Sequence, residues 1–265
     1  MTPAVALERD GGVAIITVSN PTVRNALTLD MAAQLTAACE EIDADPSIGG
    51  VVVRGAGGTF CSGADTRTWA STYADGTSDQ AYAETDLMYN SFVRVGQLRV
   101  PTIAAVRGAA VGAGFNLALA TDLRVVAKEA RLLAGFLRAG IHPGGGFFTI
   151  ARRVAGREAT AAMGLFSEEI SGDRAVELGL AWEAVADSDV EGRAVELASR
   201  VARDPLLARR VVRSFRLETD SAPLPWATAL EVERGVQLWT QNRRLRSLAQ
   251  DADQAPGPAT LDGTR

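Results

Sequence analysis

Two short apolar runs that each end in glycine constrain this chain most. GGVVVRGAGG (residues 49–58) and VPTIAAVRGAAVGAG (residues 100–114) carry small and β-branched residues, then a cluster of glycine and alanine. Apolar runs of this length, bounded by turn residues, read as short buried strands. Pro101 begins the second, where a missing N–H is tolerable. DLRVVA (122–127) is a third run and ARLLAG (130–135) a short fourth. Helical stretches lie between them, so strand, glycine loop and helix recur roughly every 50 residues, with no exact sequence repeat. Strands that alternate with helices imply a layered α/β fold.

The flanking sequence extends this outline. VALERDGGVAIITVSN alternates on both sides of Asp10-Gly11-Gly12, which predicts a β-hairpin. Thr28 is placed to cap a helix running to about Asp43, with Leu35, Ala38 and Ile42 on one face. Residues 66–80 are polar and turn-rich and predict a mobile loop, with a helix following to about Arg99. Further helices are expected through Ala120 and after IHPGGG (141–146). Beyond about Gly192 the pattern is wholly helical. DPLLARRVVRSF and PWATALEVERGVQLW read as amphipathic. The expected organisation is a core over 1–200 and a helical region over 201–265, frayed from about residue 250.

Composition narrows the functional classes. Hydrophobic residues make up 47% of the 265, ample for a core, and the net charge of -5 argues against a nucleic-acid surface. No run of 18 apolar residues is present to cross a membrane, and MTPAVALERDGG lacks the apolar centre of a secretory signal. Two cysteines, Cys39 and Cys61, make no disulfide framework and suit a reducing cytoplasm. The single histidine, His142, excludes most histidine-based metal sites, so no metal is expected.

The glycine clusters lack the string of a phosphate-binding P-loop. GAGFNL has the first two glycines of a dinucleotide fingerprint but Leu117 in place of the third, which leaves a nicotinamide-dependent oxidoreductase resting on that string alone. They could be tight turns. They could also present bare N–H groups: Ser62-Gly63-Ala64 and Gly112-Ala113-Gly114 are both tiny, and the second leads straight into a helix. Two such donors converging on one oxygen would make an oxyanion hole.

Five segments carry a resemblance to a known family. NPTVRNALTLDM (20–31), GTFCSGADT (58–66), VRGAAVGAGFNLALATDLRVVA (106–127), GIHPGGGFFTIARRVAG (140–156) and SGDRAVELGLAWEAV (171–185) are similar to the ordered motifs of the crotonase superfamily, the enoyl-CoA hydratases and isomerases. The resemblance covers about residues 5–200, and more loosely the helical C-terminus. It implies an α/β fold, a spiral of repeated β-β-α units followed by a trimerisation-type helical region, in a homotrimer or a dimer of trimers. It further implies an acyl-CoA ligand whose thioester carbonyl is gripped by the N–H groups of Ala64 and Ala113. Coenzyme A would enter only as part of the substrate, with no permanent cofactor, and would lie along Arg24, Ala26 and Leu27. Ser62, Gly63, Asp65, Gly112 and Gly114 would complete the two loops.

The chain departs from that pattern at the carboxylates. A hydratase of the family uses two glutamates, and the corresponding positions here hold Asn116 and Phe136. The acid that some isomerases place after the Pro143 position is Gly144. Asparagine cannot take a proton at neutral pH, and phenylalanine can neither accept nor donate one. Candidate replacements are His142, Asp65, Glu84 and Asp86, each with a structural reading beside it: a loop histidine, a tie to loop backbone, and dipole partners in a first helical turn. Cys61 reads as a small buried hydrophobe rather than a nucleophile. Trp69, Tyr73, Tyr82 and Trp239 could shape an acyl site or simply pack. Two functional readings remain open: an enzyme acting on a CoA thioester, and a protein that holds or delivers acyl-CoA without chemistry.

Overall fold

The computed structural model describes residues 2–65, 67, 75–219 and 225–254. The chain opens with the expected hairpin, β1 (Ala4–Asp10) paired antiparallel with β2 (Val13–Ser19). Thr28 caps α1 (Leu29–Ala44) as expected. Its hydroxyl accepts from Met31 N at 3.1 Å, and Leu35, Cys39 and Ile42 are buried on the inner face. β3 (Gly50–Gly55) then lies parallel to β2.

The next helix, α2 (Asp79–Gly96), starts earlier than the polar stretch suggests. Ser78 accepts from Ala81 N and Asp79 sits in the first turn, a good start signal. Glu84 and Asp86 therefore fall in its second turn, not its first. Most of the loop expected over 66–80, with Trp69 and Tyr73, lies outside the described residues.

β4 (Thr102–Val106) joins β3 in parallel. Val51, Val52, Val53, Ala104 and Val106 are fully buried, as strands covered on both faces require. GAAVGAG is not all loop. Ala109–Val111 form β5, which leaves the main sheet before α3 (Ala113–Ala120). β6 (Leu123–Ala127) returns to β4, while β7 (Arg131–Leu133), the expected fourth strand, pairs with β5 instead. α4 (Phe147–Leu165) follows, then β8 (Glu169–Ser171) on β7, α5 (Gly172–Glu177) and β9 (Glu183–Val185) on β6. The result is a six-stranded sheet, β1-β2-β3-β4-β6-β9, beside a three-stranded one, β5-β7-β8. The segments β4-β5-α3 and β6-β7-α4 are its repeated β-β-α units.

Three helices close the described residues: α6 (Val190–Val201), α7 (Pro205–Thr219) and α8 (Trp226–Gln254). Among the described residues, no helix is long and apolar enough to cross a membrane. α8 packs on α2 and α4. The amphipathic reading needs correction here. Glu233, Arg234, Gln237 and Gln241 are buried together with Leu230 and Leu238: Glu233 and Gln237 meet the 144–146 glycine loop, and Arg234 meets Tyr82 and Asp86 of α2. α7 is amphipathic as read, burying Ala208 and Val212, while Leu207, Val211 and Phe215 stay exposed.

Candidate functional site

The two small-residue loops meet. Cys61 N donates to Ala109 O at 3.0 Å and Val111 N to Cys61 O at 2.9 Å, which ties the loop after β3 to β5. A Cβ on Gly114 would lie 2.3 Å from Cys61 O, so only glycine lets α3 begin this close to the first loop. Ala64 bridges Leu27 through Leu27 N to Gly63 O and Asp65 N to Leu27 O, both 2.8 Å. That pattern leaves the Ala64 N–H out of the ladder. Ala113 is the first residue of α3, where the N–H has no intrahelical acceptor. Both residues, with Ser62, Gly63 and Gly112, line one cavity of about 130 Å³.

The segment around Arg24 is stapled to the same loop. Asn25 donates to Ala56 O and Thr59 O at 2.8 and 2.9 Å and accepts from Asn20 N, while Asn20 donates to Ala26 O. Ser62 Oγ donates to Val23 O at 2.7 Å. Sequence reasoning missed Asn20 and Asn25. Their signal is a pair of asparagines flanking a proline turn, one of them at φ 60°. Arg24, Ala26, Asp65 and Arg67 line a shallow groove of about 420 Å³. Groove and cavity share Ser62 and Ala64, so one opens onto the other. Asp65 is committed to Arg67, whose guanidinium reaches both carboxylate oxygens at 2.9 and 2.8 Å and holds the carboxyl below its ordinary range.

The cavity wall is largely apolar, with Met88 and Phe92 from α2 and Phe136 and Ile141 from the loop after β7. Phe136 is buried against Phe147, with ring centroids 5.8 Å apart. Asn116 lies three residues beyond Ala113. It is 1% exposed and its Nδ2 donates to Gly144 O at 2.9 Å. Its Oδ1 has no partner among the described residues.

α8 closes over the 144–146 loop. A Cβ at Gly144 would lie 2.1 Å from the amide of Gln237, one at Gly145 would meet Asn116 and Phe92, and one at Gly146 would meet Trp226. The three glycines thus make room for side chains from elsewhere. Glu233 Oε2 accepts from Gly146 N at 2.8 Å at the start of α4. Burial pushes the Glu233 carboxyl up to about 7, against the opposite pull of N–H groups at Gly146, Phe148 and Phe147.

The model of the family described as enoyl-CoA hydratase/isomerase matches residues 8–249. The chain belongs to the enoyl-CoA hydratase/isomerase family. The Mycobacterium tuberculosis protein named "Probable enoyl-CoA hydratase EchA14" is 41% identical over 246 residues, 92% of this chain and 93% of that one. The Escherichia coli protein named 1,2-epoxyphenylacetyl-CoA isomerase is 30% identical over 227 residues, 85% of this chain and 86% of that one. A solved enoyl-CoA hydratase from Bacillus halodurans superposes with a TM-score of 0.81 over 92% of this chain and 99% of that one. At 20% identity it shows the shared fold alone.

Several predicted residues stand apart from the cavity of this enoyl-CoA hydratase/isomerase family member. His142 does not line it. Its Nδ1 donates to Pro143 O at 2.6 Å, and its backbone N–H donates to Thr240 Oγ1. Glu84 accepts from Gln80, and Asp86 pairs with Arg234 at 2.9 Å, so neither faces the cavity. Tyr82 lies under the Arg234 guanidinium, 4.0 Å from its carbon, and donates to Glu231. Trp239 is largely exposed beside a separate groove near Gly76. Cys61 is fully buried and its thiol is pushed up to about 12 by burial, as a packing residue would be. Among the described residues, no group of three or more His, Cys, Asp or Glu is arranged to hold a metal ion.

Proposed function

We propose that this family member binds an acyl-CoA thioester, with the CoA part along the Arg24–Ala26 groove and the acyl group in the cavity. The observation that carries the reading is that Ala64 and Ala113, whose N–H groups are both unused by secondary structure, line one cavity, and that Ala64 also lines the groove that opens onto it. Two donors on the thioester oxygen would polarise the carbonyl and stabilise an enolate, each contributing roughly 3 kcal/mol in the transition state. Arg24 lines the groove and would supply positive charge to phosphate groups.

Asn116 and Phe136 stand where a hydratase of the family holds its two glutamates, so hydration by the familiar carboxylate pair is not assigned to this chain. Asn116 can orient a water or a carbonyl but cannot shuttle a proton. The chemistry favoured is an enolate reaction at the thioester. A second reading, acyl-CoA binding or delivery without turnover, is favoured by one observation: no carboxylate or imidazole is among the described residues lining the cavity.

Crotonyl-CoA and a longer enoyl-CoA in heavy-oxygen water, followed by mass spectrometry, test the assignment. Labelled 3-hydroxyacyl-CoA well above the blank would refute the exclusion of hydration. Calorimetric binding without labelled product would leave another enolate reaction or the carrier reading. Absence of binding would refute both.

A further inference from the structure

We infer that the acyl group selected by this site carries a hydroxyl beyond its thioester carbonyl, held by the side-chain amides of Gln237, Gln241 and Asn116. The inference rests on the acyl-CoA reading above. Gln237 and Gln241 are 4% and 8% exposed, lie one turn apart on α8, and line the cavity together with Asn116. The Oε1 of each glutamine and the Oδ1 of Asn116 accept no hydrogen bond among the described residues. Three unpartnered amide oxygens thus line one small cavity, contributed by two separate helices.

Most of the remaining wall is apolar, with Ser62 and the buried Tyr89 adding its other side-chain hydroxyls. Met88, Phe92, Phe136 and Ile141 would suit a plain alkyl chain, and methionine or leucine at 237 and 241 would serve such a chain better. The amides are also held in place. Asn116 is oriented by its bond to Gly144 O, and the Gln237 amide occupies the space a side chain at Gly144 would need. A hydroxyl suits this set because it can donate to one of these oxygens and accept from an amide NH2 of a neighbour, which an alkyl chain cannot do. A cavity of about 130 Å³ exceeds the roughly 10–15 Å³ that one water needs, so it takes a short acyl group rather than a single solvent molecule.

Calorimetry with valeryl-CoA, 4-hydroxyvaleryl-CoA and 5-hydroxyvaleryl-CoA tests this, since saturated thioesters offer no double bond to hydrate. At least one hydroxylated form is expected to bind the wild-type protein roughly tenfold or more tightly than valeryl-CoA. Gln241→Met and Gln237→Met are each expected to reduce that ratio toward one while valeryl-CoA binding holds or improves. If one variant does not fold, as judged by circular dichroism, the other and the wild-type ratio still decide. Equal wild-type affinity for all three thioesters overturns the inference and leaves the acyl-CoA reading standing. So does a hydroxyl preference that survives in the folded variants. Failure of all three to bind overturns both.

Discussion

Replacing Glu233 by glutamine should make the protein more stable at alkaline pH. The Glu233 carboxyl is buried where α8 meets the start of α4, and burial raises it from 4.5 to about 7. The folded state therefore holds this proton more tightly than the unfolded chain. Below the unfolded value the carboxyl is neutral in both states and costs nothing. Between about 4.5 and 7, stability falls as pH rises, and above 7 the whole penalty is present. At ~1.4 kcal/mol per pH unit, the shift amounts to roughly 3 kcal/mol. Glutamine keeps an oxygen for the Gly146 N–H but cannot ionise. Urea unfolding of both proteins at one concentration, from pH 6 to 8.5, avoids the poor solubility expected near the pI of about 5.1. The stability difference in favour of Glu233→Gln should grow up to about pH 7 and then level off. Carboxylates common to both proteins cancel in that difference. A variant less stable than wild type at pH 8 would refute the reasoning, because it would mean that the α4 N-terminus and its N–H groups outweigh burial.

Other perturbations follow from the same geometry. Gly114→Ala, whose Cβ would press on Cys61 O, should part the two loops and cost at least roughly tenfold in acyl-CoA affinity or turnover; unchanged values in a folded variant would show that the loops need not touch. Arg24→Ala should weaken CoA binding by roughly tenfold at low salt and less at high salt, read by calorimetry at two ionic strengths. Cys39 and Cys61, buried and pushed up to about 12, should resist iodoacetamide at pH 8 until the protein is unfolded; rapid native labelling would contradict that. Light scattering should return a multiple of three of the 27.8 kDa chain, as the family resemblance implies, and a monomer would count against it.

What the residues disclose in advance depends on how local each constraint is. β3 and β4 are legible because a parallel strand covered on both faces needs an unbroken apolar run, and VVV and IAAV supply one. β5, β8 and β9 are three residues each, too short to show a period, and their pairing partners lie outside their own segments. The loops of the candidate site are legible for a related reason. Close backbone approach demands glycine or alanine at fixed places, and Gly114 against Cys61 is such a place.

The closing helix is legible as a helix, but its buried polar face is not, because that constraint is not local. Glu233 reaches Gly146 across 87 residues of sequence, and Gln237 fits against Gly144 across a comparable span. A helix read alone has its polar residues assigned to solvent, so Glu233, Gln237 and Gln241, spaced by four, look like an outer face. The counterpart is written elsewhere, in Gly144-Gly145-Gly146. Three successive glycines leave side-chain volume unfilled and a backbone N–H within reach of an acceptor, and neither can stay unfilled or unpaired in a buried loop. Polar side chains from a distant helix meet both demands at once. The same logic holds at Gly144: with the Gln237 amide already in its side-chain space, this position has no room for a side chain of its own.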